Sequence, residues 1–363
     1  MAFYHSKFSL AHQASLFSVA GLYGWGRNNG GALGQNNTTN YSSPVLIFSG
    51  TWADVAVGFG FFVAVKNDGT LWGCGFNTYT VLGPGANKSS PVLISSSTNW
   101  SKVFCSTYTF LSIKNDGTLW GCGYNQQYNL GKPITSNYSS PVQVDSATNW
   151  ATVDADEHHA LGVKTDGTLW TWGNGQYGSL GTGNTVDRSV PAQLGTLTNW
   201  VSVAAGGQTS LSIKTDGTLW GWGFSSPLLL QPASGFGTIQ SPIQLGNSTN
   251  WSKISTDGST VAGVKTDGTL WAWGSGFPQL WNASSPTQIG NLTDWASCSV
   301  GSGKVMALKT NNTLWGMGSD SYGQIGNGAQ QNISSPVQVG NLTSWTKVAT
   351  SNTSYASTFG IHT

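Results

Sequence analysis

Residues 200–223 read Trp-Val-Ser-Val-Ala-Ala-Gly-Gly-Gln-Thr-Ser-Leu-Ser-Ile-Lys-Thr-Asp-Gly-Thr-Leu-Trp-Gly-Trp-Gly, with apolar residues alternating with small ones on both sides of Asp216-Gly217. Alternation with a period of two marks strands with one buried face, and Asp-Gly between two such runs is the strongest short hairpin signal. A type I′ turn, with positive φ at both central residues, is the expectation here. Downstream, Pro242-Ile243-Gln244-Leu245 and Trp251-Ser252-Lys253-Ile254 read as two further short strands, with the proline at a strand start where its missing N–H is tolerated. One unit is therefore expected to be a four-stranded antiparallel sheet.

The unit recurs through the chain. The leucine of the Leu-Trp step (once Leu-Tyr) returns as Leu22, Leu71, Leu119, Leu169, Leu219, Leu270 and Leu314, at steps of 49, 48, 50, 50, 51 and 44 residues. Pro44, Pro91, Pro141, Pro191, Pro242, Pro286 and Pro336 keep the same phase. So do Trp52, Trp100, Trp150, Trp200, Trp251, Trp295 and Trp345, and Leu33, Leu82, Leu130, Leu180, Leu230, Leu280 and Ile325. No stretch shows sustained helical spacing of apolar residues. Seven four-stranded units at a period near 50 predict an all-β chain, a seven-bladed β-propeller. The first copy lacks a hairpin ahead of Leu22-Tyr23-Gly24-Trp25-Gly26, and the last ends at Phe359-Gly360-Ile361 without a following Leu-Trp strand. Each end supplies what the other lacks, so N- and C-terminal strands are expected to pair and close the ring. Residues 15–363 are read as the single propeller and residues 1–14, carrying Phe3, Tyr4 and Phe8, as an N-terminal extension that is either a docking arm or a continuation of the first strand.

The repeats resemble the regulator of chromosome condensation repeat family. Trp172-Gly173-Asn174 with Ser179-Leu180-Gly181, and Val203-Ala204-Ala205-Gly206 with Leu211 to Gly217, carry the likeness. The resemblance covers roughly residues 15–363 and implies a seven-bladed propeller. Members serve as exchange factors, inhibitors and binding platforms, so the resemblance leaves the function open.

Of 18 tryptophans, 17 follow the repeat, and they are expected to be buried cement between blades. Charged residues make up 8% of the chain, against about 25% in an ordinary domain, and the net charge is +1. With two arginines and lysines spread one per unit at Lys66, Lys114, Lys164, Lys214, Lys265 and Lys309, no phosphate-neutralising cluster forms, and nucleic acid is not an expected partner. That lysine series reads as solvated strand-end residues, the other reading being a ring of lysines around one face. Cys74 and Cys122 occupy the position that other copies fill with Trp or Met317 and read as small core residues. No apolar run approaches a membrane span, and the N-terminal residues do not read as a signal peptide.

Asp154, Asp156, Glu157, His158 and His159 form the densest titratable cluster and include the sole glutamate. Neighbouring strand residues point to opposite faces, so His158 and His159 are not expected to converge on a metal. The cluster reads as solvated decoration of one blade. No nucleophile stands apart from the repeat, and neither catalysis nor a cofactor is expected. Apolar groups have moved into loops in copies five and six, where Phe224, Leu228, Leu229, Phe236, Phe277 and Trp281 are the candidate binding residues. The expected role is a non-catalytic binding or structural propeller, in the first instance a bacteriophage virion component on a tail or capsid that contacts other subunits or the host surface, including its glycans. A lectin-like or glycan-active protein is the alternative. A guanine-nucleotide exchange factor is disfavoured, because neither a basic tail nor a concentrated charged face is present.

Overall fold

The computed structural model describes residues 19–225, 237–275, 283–351 and 355–363. They form seven antiparallel four-stranded sheets. Blades I to VI follow the chain: in blade IV the strands are Trp200–Gly206, Thr209–Lys214, Leu219–Ser225 and Gly237–Gln244, from the innermost outward. Blade VII combines Trp345–Thr350 and Ser357–His362 with Gly21–Gly26 and Tyr41–Ser49. Leu22 lies opposite Ile361 and Gly24 opposite Phe359, so the ring closes by pairing of chain ends as the sequence predicts.

The hairpins differ from expectation. In the blade IV hairpin loop, residues 215–217, only Gly217 takes positive φ (74°), Gly217 N–H donates to Lys214 O at 2.9 Å, and Lys214 N–H donates to Thr218 O at 3.0 Å. This is a three-residue loop, a type I turn followed by a left-handed glycine, not a two-residue type I′ turn. Its aspartate is part of the turn: Asp216 Oδ1 accepts from Thr218 N–H and Oγ1, and Thr218 Oγ1 accepts from Trp220 Nε1. The same relay recurs at Asp68, Asp116, Asp166 and Asp267 and, with asparagine, at Asn311. Each hairpin also clasps the following blade. Trp100, Trp150, Trp200, Trp251 and Trp295 N–H groups donate to Gly69, Gly117, Gly167, Gly217 and Gly268 carbonyls, and Trp345 N–H donates to Asn312 O, all at 3.0–3.1 Å.

The prolines do not start their strands. Pro44, Pro91, Pro141, Pro191, Pro242, Pro286 and Pro336 lie inside the outermost strands, where the pairing register slips. An edge strand has one unpaired side and a bulge releases a ladder bond, so the missing N–H costs nothing there.

The tryptophans divide into two groups. Those that begin inner strands, and those of the Gly-Trp-Gly position (Trp25, Trp172, Trp222 and Trp273), are buried as expected. Those of the Leu-Trp step are half-buried. They form outer plates over the lysine series: Lys214 Nζ sits 4.7 Å from the Trp200 ring centroid and 3.6 Å from that of Trp220, and Lys114, Lys164, Lys265 and Lys309 repeat the arrangement. The lysines are thus neither solvated strand ends nor a free cationic ring. In those five each ammonium is held by two ring quadrupoles while its aliphatic stem covers apolar surface, whereas Lys66 faces the one ring of Phe48 at 5.5 Å.

Candidate functional site

Within each blade, the loops joining the first to the second strand and the third to the fourth open on one side of the disc, and the hairpins open on the other. The loop side gathers aromatic residues that the repeat pattern does not display. The position five after the repeated leucine holds Arg27, Phe76, Tyr124 and Phe224, and the position eight after it holds Tyr79, Tyr177 and Tyr322. The tyrosine of one blade packs on the plus-five residue of the next. Tyr79 meets Tyr124 at 4.8 Å between centroids, Tyr177 meets Phe224 at 5.2 Å, and the Arg27 guanidinium lies 5.0 Å from the Tyr322 ring.

Shorter loops fill in between. Phe59 contacts Phe76, Tyr108 and Tyr355 at 6.1, 5.6 and 5.4 Å, Tyr79 contacts Tyr108 at 5.0 Å, and Arg27 also lies 5.1 Å from Tyr355. A continuous belt therefore runs Tyr322, Arg27, Tyr355, Phe59 with Phe76, Tyr108, Tyr79 and Tyr124 across blades VI, VII, I and II. Most of the rings meet edge-on or tilted, as aromatic quadrupoles prefer, while Phe59 and Phe76 stack at 16°.

The belt is held from beneath. Thr109 and Thr209, which begin their second strands, donate from Oγ1 to Tyr124 O and Phe224 O at 2.7 and 2.9 Å, fixing the plus-five backbone. With its amide turned so that the oxygen faces the guanidinium, Asn29 accepts from Arg27 at 3.1 and 3.2 Å, and the Tyr355 hydroxyl meets Gly30 N–H. Tyr79 and Tyr177 take φ of 66° and 59°, a left-handed backbone that bulky residues rarely adopt. Tyr79 and Tyr322 are each 37% exposed, so the belt presents ring surface to solvent. Glu157 stands exposed near its far end. Burial, and then the Glu157 charge, raise the Tyr108 hydroxyl above its ordinary value.

Phe224 thus lies on this side, packed on Tyr177. Leu228, Leu229 and Phe236 fall in residues 226–236, and Phe277 and Trp281 in residues 276–282. With Phe3, Tyr4 and Phe8 they lie outside the described residues.

The Asp154 to His159 segment is corrected by the structure. Asp156 is buried, His159 is wholly buried and Asp154 is half-buried. His159 Nδ1 lies 2.9 Å from Asp156 Oδ1 and Nε2 lies 2.7 Å from Ser210 Oγ of the next blade. Asp156 also accepts from His158, His159 and Gln208 N–H groups at 2.8–2.9 Å. Burial opposes ionisation of Asp156, but the charge and hydrogen bonds of His159 and the Gln208 N–H hold its carboxyl well below the usual range. Asp154 Oδ2 accepts from Ala205 N–H at 2.9 Å, and burial pushes this carboxyl up to about 7.

An Asp-His-Ser arrangement therefore exists that no sequence spacing disclosed, because Ser210 comes from the neighbouring blade. Ser210 is wholly buried and its Oγ lies 2.8 Å from Ser179 O, so the arrangement staples blade III to blade IV. Both ring nitrogens of His159 face protein atoms, and among the described residues no three His, Cys, Asp or Glu side chains are grouped to hold a metal.

The axial channel has a volume of about 290 Å³ and is lined by inner-strand residues including Asp154, Ser255, Ser299 and Lys347. Their polar groups serve neighbouring blades. Asp54 Oδ2 accepts from Val103 N–H at 2.9 Å and Oδ1 pairs with Lys347, and Ser255 Oγ accepts from Val300 N–H at 3.0 Å. Cys105 and Cys298 also line it; burial pushes the Cys105 thiol far above its ordinary value and the Cys298 thiol up to about 12, so neither supplies a thiolate.

Comparison with known proteins places this geometry. The human WBSCR16 structure superposes with a TM-score of 0.83 at 21% identity, over 94% of this chain and 98% of that one. Prp20p from Saccharomyces cerevisiae, a structure described together with its binding to Gsp1p and histones, gives 0.75 at 18% identity over 95% and 92%. Yeast RCC1 (Prp20) bound to Kap60 gives 0.76 at 17% identity over 100% and 95%. At these identities the likeness is one of fold. No curated protein matches the sequence. The Regulator of chromosome condensation (RCC1) repeat matches residues 21–65, 68–112, 116–163, 166–213 and 311–355, well over half of the sequence, and with the seven closed blades this establishes that the chain belongs to the RCC1 repeat family.

Proposed function

We propose that this propeller is a non-catalytic recognition module that docks a protein partner on its loop side, across the belt from Tyr322 to Tyr124. The observation that carries this reading is the belt itself: aromatic residues contributed by four blades, braced from below and exposed at Tyr79 and Tyr322. Tyrosine supplies large amphipathic contact area at low entropic cost, which is why it is enriched at the centres of protein interfaces. Apart from the stacked Phe59 and Phe76, the rings pack edge-on or tilted against one another, which leaves few flat faces for stacking a sugar and favours protein over glycan. Gsp1p, histones and Kap60 as partners of Prp20 support protein docking as a use of this fold. With two arginines in the chain, the partner here is recognised by aromatic contact more than by charge.

Within that reading, the charge-poor and nearly uniform repeats support a structural role in a virion, made in the host cytoplasm and displayed on a tail or capsid. A photo-crosslinking amino acid at Tyr79, with Asp116 on the hairpin side as control, tests the docking face in the native source. A discrete protein adduct from Tyr79 alone is the expected result, and adducts from Asp116 alone would defeat it. No protein adduct together with binding on a glycan array would replace the protein partner by a carbohydrate. Fixed stoichiometry of the chain in purified particles supports the virion role, and its absence from particles removes that role.

A further inference from the structure

The blade VI loop that carries Tyr322 departs from its siblings at one atom. In blades VII, I and II the residue five before the loop leucine is Asn28, Asn77 or Asn125. In each, Oδ1 accepts from that leucine's N–H, at 2.9, 2.8 and 3.0 Å. Nδ2 then donates to two carbonyls farther along the same loop: Asn37 and Thr39, Gly83 and Gly85, Lys132 and Ile134, at 2.6–3.1 Å. Blade VI has Asp320 at this position. Its Oδ1 keeps the first bond, accepting from Ile325 N–H at 2.8 Å, and its own N–H donates to Asn332 Oδ1 at 3.0 Å, as Asn77 N–H does to Asn87.

Asp320 Oδ2 therefore stands in register with a nitrogen that donates to loop carbonyls. It is buried and finds no hydrogen-bond donor among the described residues. An ionised oxygen is an acceptor only and is repelled by carbonyl oxygens, whereas a protonated one donates as the amide does. The charged groups that face it decide which form holds. Lys304, which begins the second strand of blade VI, is wholly buried, donates to Gly301 O and Ser357 O at 3.3 Å each, and interacts with both Asp320 and Asp257 of the blade V loop. One ammonium thus serves two carboxyls, and Arg27 is already engaged by Tyr322, Tyr355 and Asn29.

We propose that Asp320 is a proton-operated latch on the recognition face: protonated, it closes the blade VI loop and sets Tyr322 against Arg27; ionised, it lets the loop open. The proposal names the regulation of the docking face and rests on that reading for its biological use, while the latch is a property of the loop itself. Burial pushes the Asp320 carboxyl up to about 6, against the pull of the Ile325 N–H and the Lys304 charge. A carboxyl whose folded pKa is raised lends its stability in full below the ordinary carboxylate value and loses it as the pH rises through the folded value. The loop is therefore closed most firmly below about pH 4, loosens as the pH rises to about 6 and stays loosened above it.

The test is amide hydrogen exchange of residues 321–332, corrected for intrinsic rates, in the wild type and in Asp320→Asn, which restores the sibling residue. At about pH 7.5 the wild-type loop is expected to exchange at least about tenfold faster than at about pH 5, with Asp320→Asn protected at both. Equal wild-type protection at both values, or the same loss in Asp320→Asn, would overturn the latch. Restoration of wild-type protection at the higher pH by calcium or potassium chloride would also overturn it, assigning the Oδ2 position to a cation. Exchange reads the loop without a partner, so a failure of Tyr79 crosslinking leaves this result standing, and the two readings fail separately.

Discussion

A lysine between two indoles is the smallest repeated device in this molecule. At Lys214 the ammonium lies 3.6 and 4.7 Å from two ring centroids and the residue is 7% exposed, so desolvation strengthens the attraction while drawing its pKa down. Lys214→Met keeps the stem and removes the charge. It is expected to lower stability by about 1–2 kcal/mol, seen as a shift in denaturant midpoint at unchanged slope. Lys66→Met should cost less, because Lys66 faces the single ring of Phe48 at 5.5 Å. Asp156 makes a second prediction. Its folded pKa is depressed, so its contribution is complete above about pH 4 and is lost as the pH falls below that. Asp156→Asn is expected to remove part of the acid limb of a stability profile and to cost about 3 kcal/mol at neutral pH, since it leaves His159 without its carboxylate partner. The identity of these residues was plain in the sequence, but their partners were not. Lys214 meets Trp200 through strand pairing, and His159 meets Ser210 through blade packing.

At the scale of the element, the hairpin glycine answers to two constraints at once. Gly217 has φ of 74°, and a Cβ on it would come within 2.2 Å of Thr249 O in the connection to the next blade. Gly217→Val is therefore expected to destabilise by more than about 2 kcal/mol. Gly217→Asn should cost less, because Asn312 occupies the same turn position in blade VI with φ of 60°. Thermal unfolding of the two variants side by side checks the ranking. The Asp-Gly signal announced a hairpin correctly but assigned the two-residue form. The dipeptide suits both turn types, and the choice was made by Trp251 N–H, which takes the Gly217 carbonyl and so builds the turn into the blade contact. The prolines teach the same lesson: they marked the outer strand, while their place inside it follows from the bulge in register.

At the scale of the whole molecule, closure rests on six cross-strand pairs between Gly21–Gly26 and Ser357–His362. Deleting residues 357–363 removes the second strand of blade VII and leaves two open sheet edges. The expected result is loss of hydrogen-exchange protection in residues 21–49 and self-association on light scattering, whereas an unchanged monomer would show that closure is dispensable. The belt is also a whole-molecule property, and part of its signal was present in the chain. Arg27, Phe76, Tyr124 and Phe224 share one repeat position, and Tyr79, Tyr177 and Tyr322 another, yet these vary between copies and so fell outside the landmarks that define the repeat. The sequence by itself determined the number of blades, their four-stranded make-up, the closure of the ring and the family, because each is written in a period that every copy repeats. Only the tertiary structure decided which variable residues meet: the aromatic belt, the Asp156, His159 and Ser210 staple, and the unmatched oxygen of Asp320. The belt and the staple join residues of neighbouring blades, as Phe59 with Tyr355 and His159 with Ser210, and only the turn of the ring about its axis brings them together.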